Sequence, residues 1–144
     1  METKDRIREG LGKKIADWEE KNPRRIYFTL DKEDIFGAVE FLFRQMGLRF
    51  AIASGMQTPE GFEILYHFCD DSSGIIYSAR VLIQDGKNPA VKSITPIFPG
   101  AEWIEREMWE MLGINFIGHP NLKRLLLSDD WPQGQYPLRQ NHEP

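Results

Sequence analysis

Apolar residues recur at helical spacing through an otherwise charged stretch near the start of the chain, at Ile7, Leu11, Ile15 and Trp18. This spacing predicts a short amphipathic helix that ends near Asn22 and Pro23. The run after it, from Arg25 to Leu30, has the β-branched and aromatic composition of a strand.

A second helix is predicted to follow this strand. Asp31 is placed to cap its first turn, and Gly47 is a natural stop after its last one. The buried stripe of this helix consists of six apolar residues: Ile35, Phe36, Val39, Leu42, Phe43 and Met46.

The middle of the chain alternates strand-like runs with turn sequences. Residues 49–54, 62–68 and 75–83 are predicted strands, and short segments rich in Pro, Gly, Asp and Ser separate them. Such short connections favour an antiparallel meander. A further short strand is predicted at 91–95.

The last predicted helix covers residues 101–112 and ends at Gly113. Beyond Gly118 the chain is rich in Pro, Gly and Asn, and residues 115–144 are predicted to be mostly extended and irregular. The sequence therefore indicates an α+β fold with a single domain at residues 1–118. We expect a mixed or antiparallel sheet of four to five strands, two N-terminal helices and a C-terminal helix. Residues 119–144 are predicted to form a tail that docks on a partner subunit.

A helical wheel of residues 101–112 places one acid among apolar neighbours. Glu107 falls between Trp103 and Met111, whereas Glu105 and Arg106 fall on the polar face. A carboxylate in an apolar contact needs a partner, so we expect Glu107 to be an internal structural tie. Two alternatives remain at this point: Glu107 reaches water at the edge of the stripe, or it is catalytic.

The polar face of the same helix carries two predicted i,i+4 ion pairs, Glu102 with Arg106 and Arg106 with Glu110. Trp109 also lies on this face, where a large aromatic side chain is unusual. Trp is enriched at interface hot spots, so Arg106 and Trp109 are predicted to contact a partner protein.

Composition limits the functions that the chain can have. It has 144 residues and a formal net charge of -4, which argues against binding to nucleic acid or to anionic lipid. No apolar run approaches the roughly 20 residues of a membrane span, and the charged N-terminus lacks a signal core, so the chain is expected to be soluble and intracellular. Cys69 is the only cysteine, which excludes an internal disulfide and an iron–sulfur cluster built by this chain alone. No motif for nucleotides or haem is present, and no catalytic, cofactor-binding or metal-binding residue is predicted.

The run that begins at Glu105 and ends at Leu126 resembles the signature of the respiratory-chain NADH dehydrogenase 30 kDa subunit family. The matching positions are Glu105, Arg106, Glu107, Glu110, Met111, Leu112, His119, Lys123, Leu125 and Leu126, and Pro120 follows the histidine. The similarity extends over about residues 25–139.

This resemblance implies a cofactor-free subunit in the peripheral arm of a membrane-bound electron-transfer complex. Such a subunit braces the catalytic large subunit beside a small iron–sulfur subunit, and those partners hold the iron–sulfur clusters and the NiFe or quinone site. The expected location is the cytoplasmic side of the cell membrane, reached only through the complex. The segment from Leu127 to Pro132 and the missing Lys-Asp-Tyr after Arg139 resemble the energy-converting NiFe hydrogenase branch; the alternative is the equivalent subunit of complex I.

Other residues with reactive side chains fit structural roles better than catalytic or metal-binding ones. His67 and Cys69 share a strand face with no evident further metal ligands. His119 in its Gly-His-Pro turn is predicted to fix the loop by a hydrogen bond. In the tail, Trp131, Tyr136 and Arg139 are predicted partner contacts. A stand-alone hydrolase or isomerase would instead need Glu107, His67 and Asp70 to converge in one pocket.

Overall fold

A five-stranded mixed sheet forms the centre of the computed structural model, which describes residues 1–140. In chain order its strands are β1 (Ile15–Asn22), β2 (Arg25–Leu30), β3 (Arg49–Thr58), β4 (Gly61–Asp70) and β5 (Ile75–Ile83). Their order across the sheet is β1-β2-β5-β4-β3. Neighbouring strands are antiparallel except β2 and β5, which are parallel. The sheet therefore confirms the predicted α+β class with five strands.

Three helices supply the rest of the core. They are α1 (Thr3–Leu11), α2 (Ile35–Glu40) and α3 (Ala101–Leu112). A single 3-10 turn at Lys32–Asp34 precedes α2, and a π-helical turn at Phe41–Gln45 extends it. The helices pack on the sheet face that carries Phe62, Ile64, Tyr66 and Phe68, whereas the alternate β4 residues on the opposite face are only half-buried.

The predicted first helix is wrong in its second half. The helix ends at Leu11, Gly12 follows with a φ of 50°, and residues 15–22 form the edge strand β1. Ile15 and Trp18 would lie on opposite faces of a regular strand, but a register shift between Ile15 and Asp17 turns both toward the core. Their spacing therefore imitates a helix, and the stacking of Trp18 on Phe28 at 5.5 Å favours the strand.

The other predicted elements are confirmed: β2, β5 and α3 have the predicted ends, and the ends of β3 and β4 are shifted. The Asp31 side chain accepts a hydrogen bond from the Glu33 amide at 2.9 Å, as expected of a cap. The strand predicted at 91–95 is shorter, at Ala90–Lys92 (β6), and it pairs in parallel with β7 (Asn115–Ile117), which the sequence did not predict. No helix within residues 1–140 is long and apolar enough to span a membrane.

Candidate functional site

Three charged residues of α3 are buried. The exposed fractions are 1% for Glu105, 4% for Arg106 and 3% for Glu110, whereas Glu107 is exposed and Trp103 is 55% exposed. This placement contradicts the prediction that Glu107 is the internal tie. The wheel assigns the polar arc of α3 to solvent from its residue types alone, and it therefore could not show that other parts of the chain cover this arc.

Glu105 is held by groups of the segment that leads into α3. Its Oε1 accepts a hydrogen bond from Ser93 Oγ at 2.6 Å, and its Oε2 accepts one from the Ile94 amide at 2.9 Å. The Ser93 hydroxyl also lies 2.8 Å from the hydroxyl of Thr95. Burial raises the pKa of Glu105 to about 7, although both of these hydrogen bonds act to lower it. The site therefore holds a buried acid among neutral donors.

His119 closes the same cluster from the turn after β7. Its Nδ1 accepts a hydrogen bond from the Asn121 amide at 2.9 Å, so Nε2 carries the proton and donates to the Glu102 carbonyl at 3.1 Å. The predicted loop-fixing role is confirmed by these two bonds. Nε2 lies 4.0 Å from Glu105 Oε1, beyond hydrogen-bond distance.

Arg106 and Glu110 bind the backbone of one segment of the tail. Arg106 donates to the carbonyls of residues 123 and 124, at 3.0 and 2.6 Å. The Glu110 carboxylate accepts the amides of residues 125, 126 and 127, at 3.0, 2.9 and 2.8 Å. Charge-assisted bonds of this kind are the stronger hydrogen bonds of proteins. Among residues 1–140 neither predicted i,i+4 ion pair forms, because Arg106 and Glu110 are both engaged by this segment.

The tail then reaches the C-terminal end of α3. The Leu138 amide donates to the Met111 carbonyl at 3.0 Å, and Arg139 Nε donates to the Leu112 carbonyl at 2.6 Å. Both carbonyls belong to the last turn, which has no intrahelical partners for them. The Arg139 guanidinium also stacks on Tyr136, 4.6 Å from the ring centre.

The predicted partner-binding residues therefore differ in how accessible they are to another protein. The prediction that Arg106 contacts a partner is wrong, because its guanidinium is buried and donates to carbonyls of this same chain. Trp109, Trp131 and Tyr136 are half-buried and line one small cavity of about 250 Å³ between α3 and the tail. For these three residues and for Arg139, contact with a partner stays a prediction.

The residues of the stand-alone enzyme hypothesis do not meet. His67 lies on the half-buried sheet face, where its Nδ1 is 2.6 Å from Ser78 Oγ, whereas Asp70 points to the other face and accepts from Thr3, Ser72 and Ser73. Glu107 is on the exposed side of α3. Within residues 1–140 no group of three or more His, Cys, Asp or Glu side chains could hold a metal ion.

The residues that tie this site together are those of the signature. Comparison with known families agrees: the family model described as "Respiratory-chain NADH dehydrogenase, 30 Kd subunit" matches residues 28–144. The chain belongs to this family. The resemblance seen in the sequence is confirmed, and the structure gives its fixed charges a physical task, since Glu105, Arg106 and Glu110 each bind backbone groups of neighbouring segments.

Individual relatives are similar over nearly the whole chain. A protein of Rhizobium meliloti that is named as a subunit of NADH-quinone oxidoreductase is 36% identical over 94% of this chain and 68% of its own length. A protein of Chloroherpeton thalassium, named as the same type of subunit, is 34% identical over 95% of this chain. The chain spans only 58% of that second relative.

Two solved structures share the fold. A chain of the membrane-bound sulfane sulfur reductase, an archaeal respiratory membrane complex, superposes with a TM-score of 0.84 at 21% identity, covering 96% of this chain and 82% of its own. The trypsin-resistant fragment of Nqo5 superposes with a TM-score of 0.69 at 24% identity, covering 85% of this chain and all of that fragment.

Sequence reasoning found the signature residues but not what they bind. The partners of Arg106 and Glu110 are main-chain groups of residues 123–127, and main-chain groups leave no trace in residue types. Ser93 was not identified as a partner of Glu105 either. The Ser-x-Thr pattern at Ser93 and Thr95 is a weak signal that could have suggested it.

Proposed function

We propose that this chain is a non-catalytic subunit in the peripheral arm of a membrane-bound respiratory complex, where it braces the catalytic large subunit. It binds no cofactor in this proposal, and the iron–sulfur clusters and the quinone or NiFe site belong to partner subunits. The arm lies on the cytoplasmic side of the membrane, and the chain is held there only through the complex.

The observation that carries this proposal is the engagement of the buried charges of α3. Arg106 and Glu110 together make five hydrogen bonds to the backbone of residues 123–127. The charged residues of the family signature therefore fix the position of a surface segment, whereas a catalytic carboxylate or guanidinium would have to face substrate. A surface segment held in one conformation suits a subunit that braces its neighbours.

The branch within the family has two candidates. Both relatives described above are named as parts of NADH-quinone oxidoreductase, and the first matches 94% of this chain, which supports a complex I type of assembly. The tail segment from Leu127 to Pro132 resembles the energy-converting NiFe hydrogenases and supports the second candidate. We favour the complex I type, because similarity over 94% of this chain outweighs the resemblance of short tail features to the hydrogenases.

Affinity purification from native membranes tests the proposal. The tagged chain should co-purify in equal amounts with a large subunit and a small iron–sulfur subunit, and mass spectrometry identifies their type. NADH-driven quinone reduction by the eluate supports complex I, and hydrogen evolution supports the hydrogenase. Stoichiometric iron or flavin in the isolated chain, or a chain that co-purifies with no other subunit, would refute the bracing role.

A further inference from the structure

The two edges of the sheet are protected very differently against pairing with another strand. β1 has register shifts near both of its ends and carries charged side chains at Asp17, Glu19, Glu20 and Lys21. Bulges and charges of this kind are how proteins block an edge. β3 is ten residues long, has a single register shift, between Phe50 and Ile52, and carries one charged residue, Arg49, at its beginning. The edge at β3 is therefore the one suited to receive another chain.

Exposed apolar side chains lie along this open edge. Ile52 and Met56 of β3 are 52% and 53% exposed, and Leu138 of the tail is 60% exposed. Among residues 1–140 no bond between two backbone groups joins β3 to a segment outside the sheet, and the tail reaches it only where the Gln140 amide donates to the Gln57 side chain near the end of the strand. Unpaired backbone groups beside exposed apolar side chains are typical of a strand that accepts an added strand.

A groove of about 210 Å³ runs between β3 and α3. Its apolar lining includes Ile52, Gly55, Ile104, Met108, Met111 and Leu138. A Cβ atom at Gly55 would lie 3.1 Å from Met108 Sδ, so the glycine lets helix and strand approach closely. The volume is below the range of about 300–1,000 Å³ that small-molecule sites occupy, and it suits one or two side chains of a polypeptide.

The groove has one charged lining residue, Glu107. Its side chain is exposed and makes no ion pair or hydrogen bond to another residue within the described part of the chain. An acid at the rim of an apolar groove favours a basic side chain and disfavours an acidic one. Methionines at the base of the groove adapt to the shape of an inserted side chain.

We propose that an extended segment of a partner subunit pairs along β3, inserts an apolar side chain into this groove and presents a Lys or Arg to Glu107. The proposal rests on the proposed function, because it takes the partner from the same complex. It gives a role to Glu107 that its neighbours Glu105 and Glu110, which are buried and fully engaged, do not share.

Photo-crosslinking in the native cell locates the segment. A photoreactive amino acid at Ile52 should link to one contiguous stretch of a different subunit, and mass spectrometry should show a Lys or Arg in that stretch. The same photoreactive group at Glu19 on the blocked edge is the matched control and should not link to that stretch. Crosslinks only to a second copy of this chain, or to a stretch without a basic residue, would overturn the proposal.

Charge reversal then tests the role of Glu107. Glu107→Lys should leave the melting temperature of the isolated chain unchanged but lower recovery of the chain in the complex about tenfold, because attraction becomes repulsion. Changing the crosslinked basic residue to Glu should restore recovery. Glu9→Lys, an exposed reversal on α1, is the control.

The outcomes separate this proposal from the function on which it rests. Normal recovery of Glu107→Lys in a complex that the wild-type chain joins would overturn the groove proposal and leave the bracing role intact. A wild-type chain that joins no complex would overturn both.

Discussion

Glu105 is an acid that the fold buries against neutral hydrogen-bond donors. It is 1% exposed, and its hydrogen bonds come from the Ser93 hydroxyl and the Ile94 amide. His119 Nε2 lies 4.0 Å from Glu105 Oε1, and burial together with the charge of Glu105 raises the pKa of the nearby Tyr66 phenol. Two neutral donors offset only part of the cost of burying a carboxylate, so Glu105 should bind a proton at a higher pH than an exposed glutamate.

This difference predicts a pH dependence of stability. The pKa of Glu105 is about 7 in the folded chain against 4.5 for the ordinary side chain. Between these values the folded state keeps a proton that the unfolded state has released, so the free energy of unfolding should fall as pH rises. The stabilisation that the retained proton gives is fully present below pH 4.5 and is lost as pH passes 7. At its full size it adds about 3 kcal/mol to the free energy of unfolding.

Urea unfolding of the wild type and of Glu105→Gln from pH 4.5 to 8 measures the effect. The amide does not titrate, so the stability of the wild type relative to the variant should decline across this range. A difference between the two proteins that is constant with pH would show that Glu105 is ionised throughout.

At the scale of single residues, the sequence predicts which positions matter better than what they do. The signature marks Glu105, Arg106 and Glu110, and all three prove to be buried ties. Which acid turns inward was predicted wrongly, since Glu107 is exposed. A residue's own type cannot show that its side chain will meet the backbone of a segment about fifteen positions later.

At the scale of elements, predictions succeeded where a residue inside the chain segment itself ends the helix or strand. The boundaries of α3 were predicted correctly because Gly113, with a φ of 78°, ends the helix through its own backbone preference. β1 was missed because its bulge gives Ile15 and Trp18 the spacing of a helix, although β1 pairs with the next strand along the chain, β2. β7 was missed because it pairs with β6, which lies on the other side of α3 in the chain.

Gly113 ends α3 and also lets the tail approach the end of the helix closely, and substitutions can separate these two roles. A Cβ atom there would lie 2.6 Å from Arg139 Nη2 and from Tyr136 Cε2, in addition to the strain of a positive φ. Gly74 has a φ of 76° with nothing within 4 Å of such an atom, so it is a matched control. We expect Gly74→Ala to destabilise the chain by about 1 kcal/mol and Gly113→Ala by about 2 kcal/mol or more.

Thermal or urea unfolding of both variants provides the comparison. The excess cost of Gly113→Ala is attributed to the tail, so replacing Tyr136 and Arg139 by Ala should remove most of that excess. Equal costs for the two glycine substitutions would show that the tail does not press on the end of α3.

At the scale of the whole molecule, the chain consists of a core and a segment tied to its surface. The sheet and helices share one apolar core, whereas no residue from 121 to 140 is fully buried. This segment is held by hydrogen bonds to Arg106, Glu110 and the last turn of α3. Segments with little buried apolar surface open with lower free energies than the core, so the tail should open while the sheet stays folded.

Hydrogen exchange of Glu110→Gln tests this separation. The amide oxygen of Gln cannot satisfy the three amides that the carboxylate accepts, so the ties should weaken by about 1–3 kcal/mol. The amides of residues 125–127 should then exchange roughly ten- to a hundredfold faster, while the buried β4 amides of Ile64 and Tyr66 keep their rates. Glu107→Gln changes an exposed acid on the same helix and should alter neither set. If the β4 amides were accelerated by the same factor as residues 125–127, the tail and the sheet would unfold together, and the tail would have to be counted as part of the cooperative core.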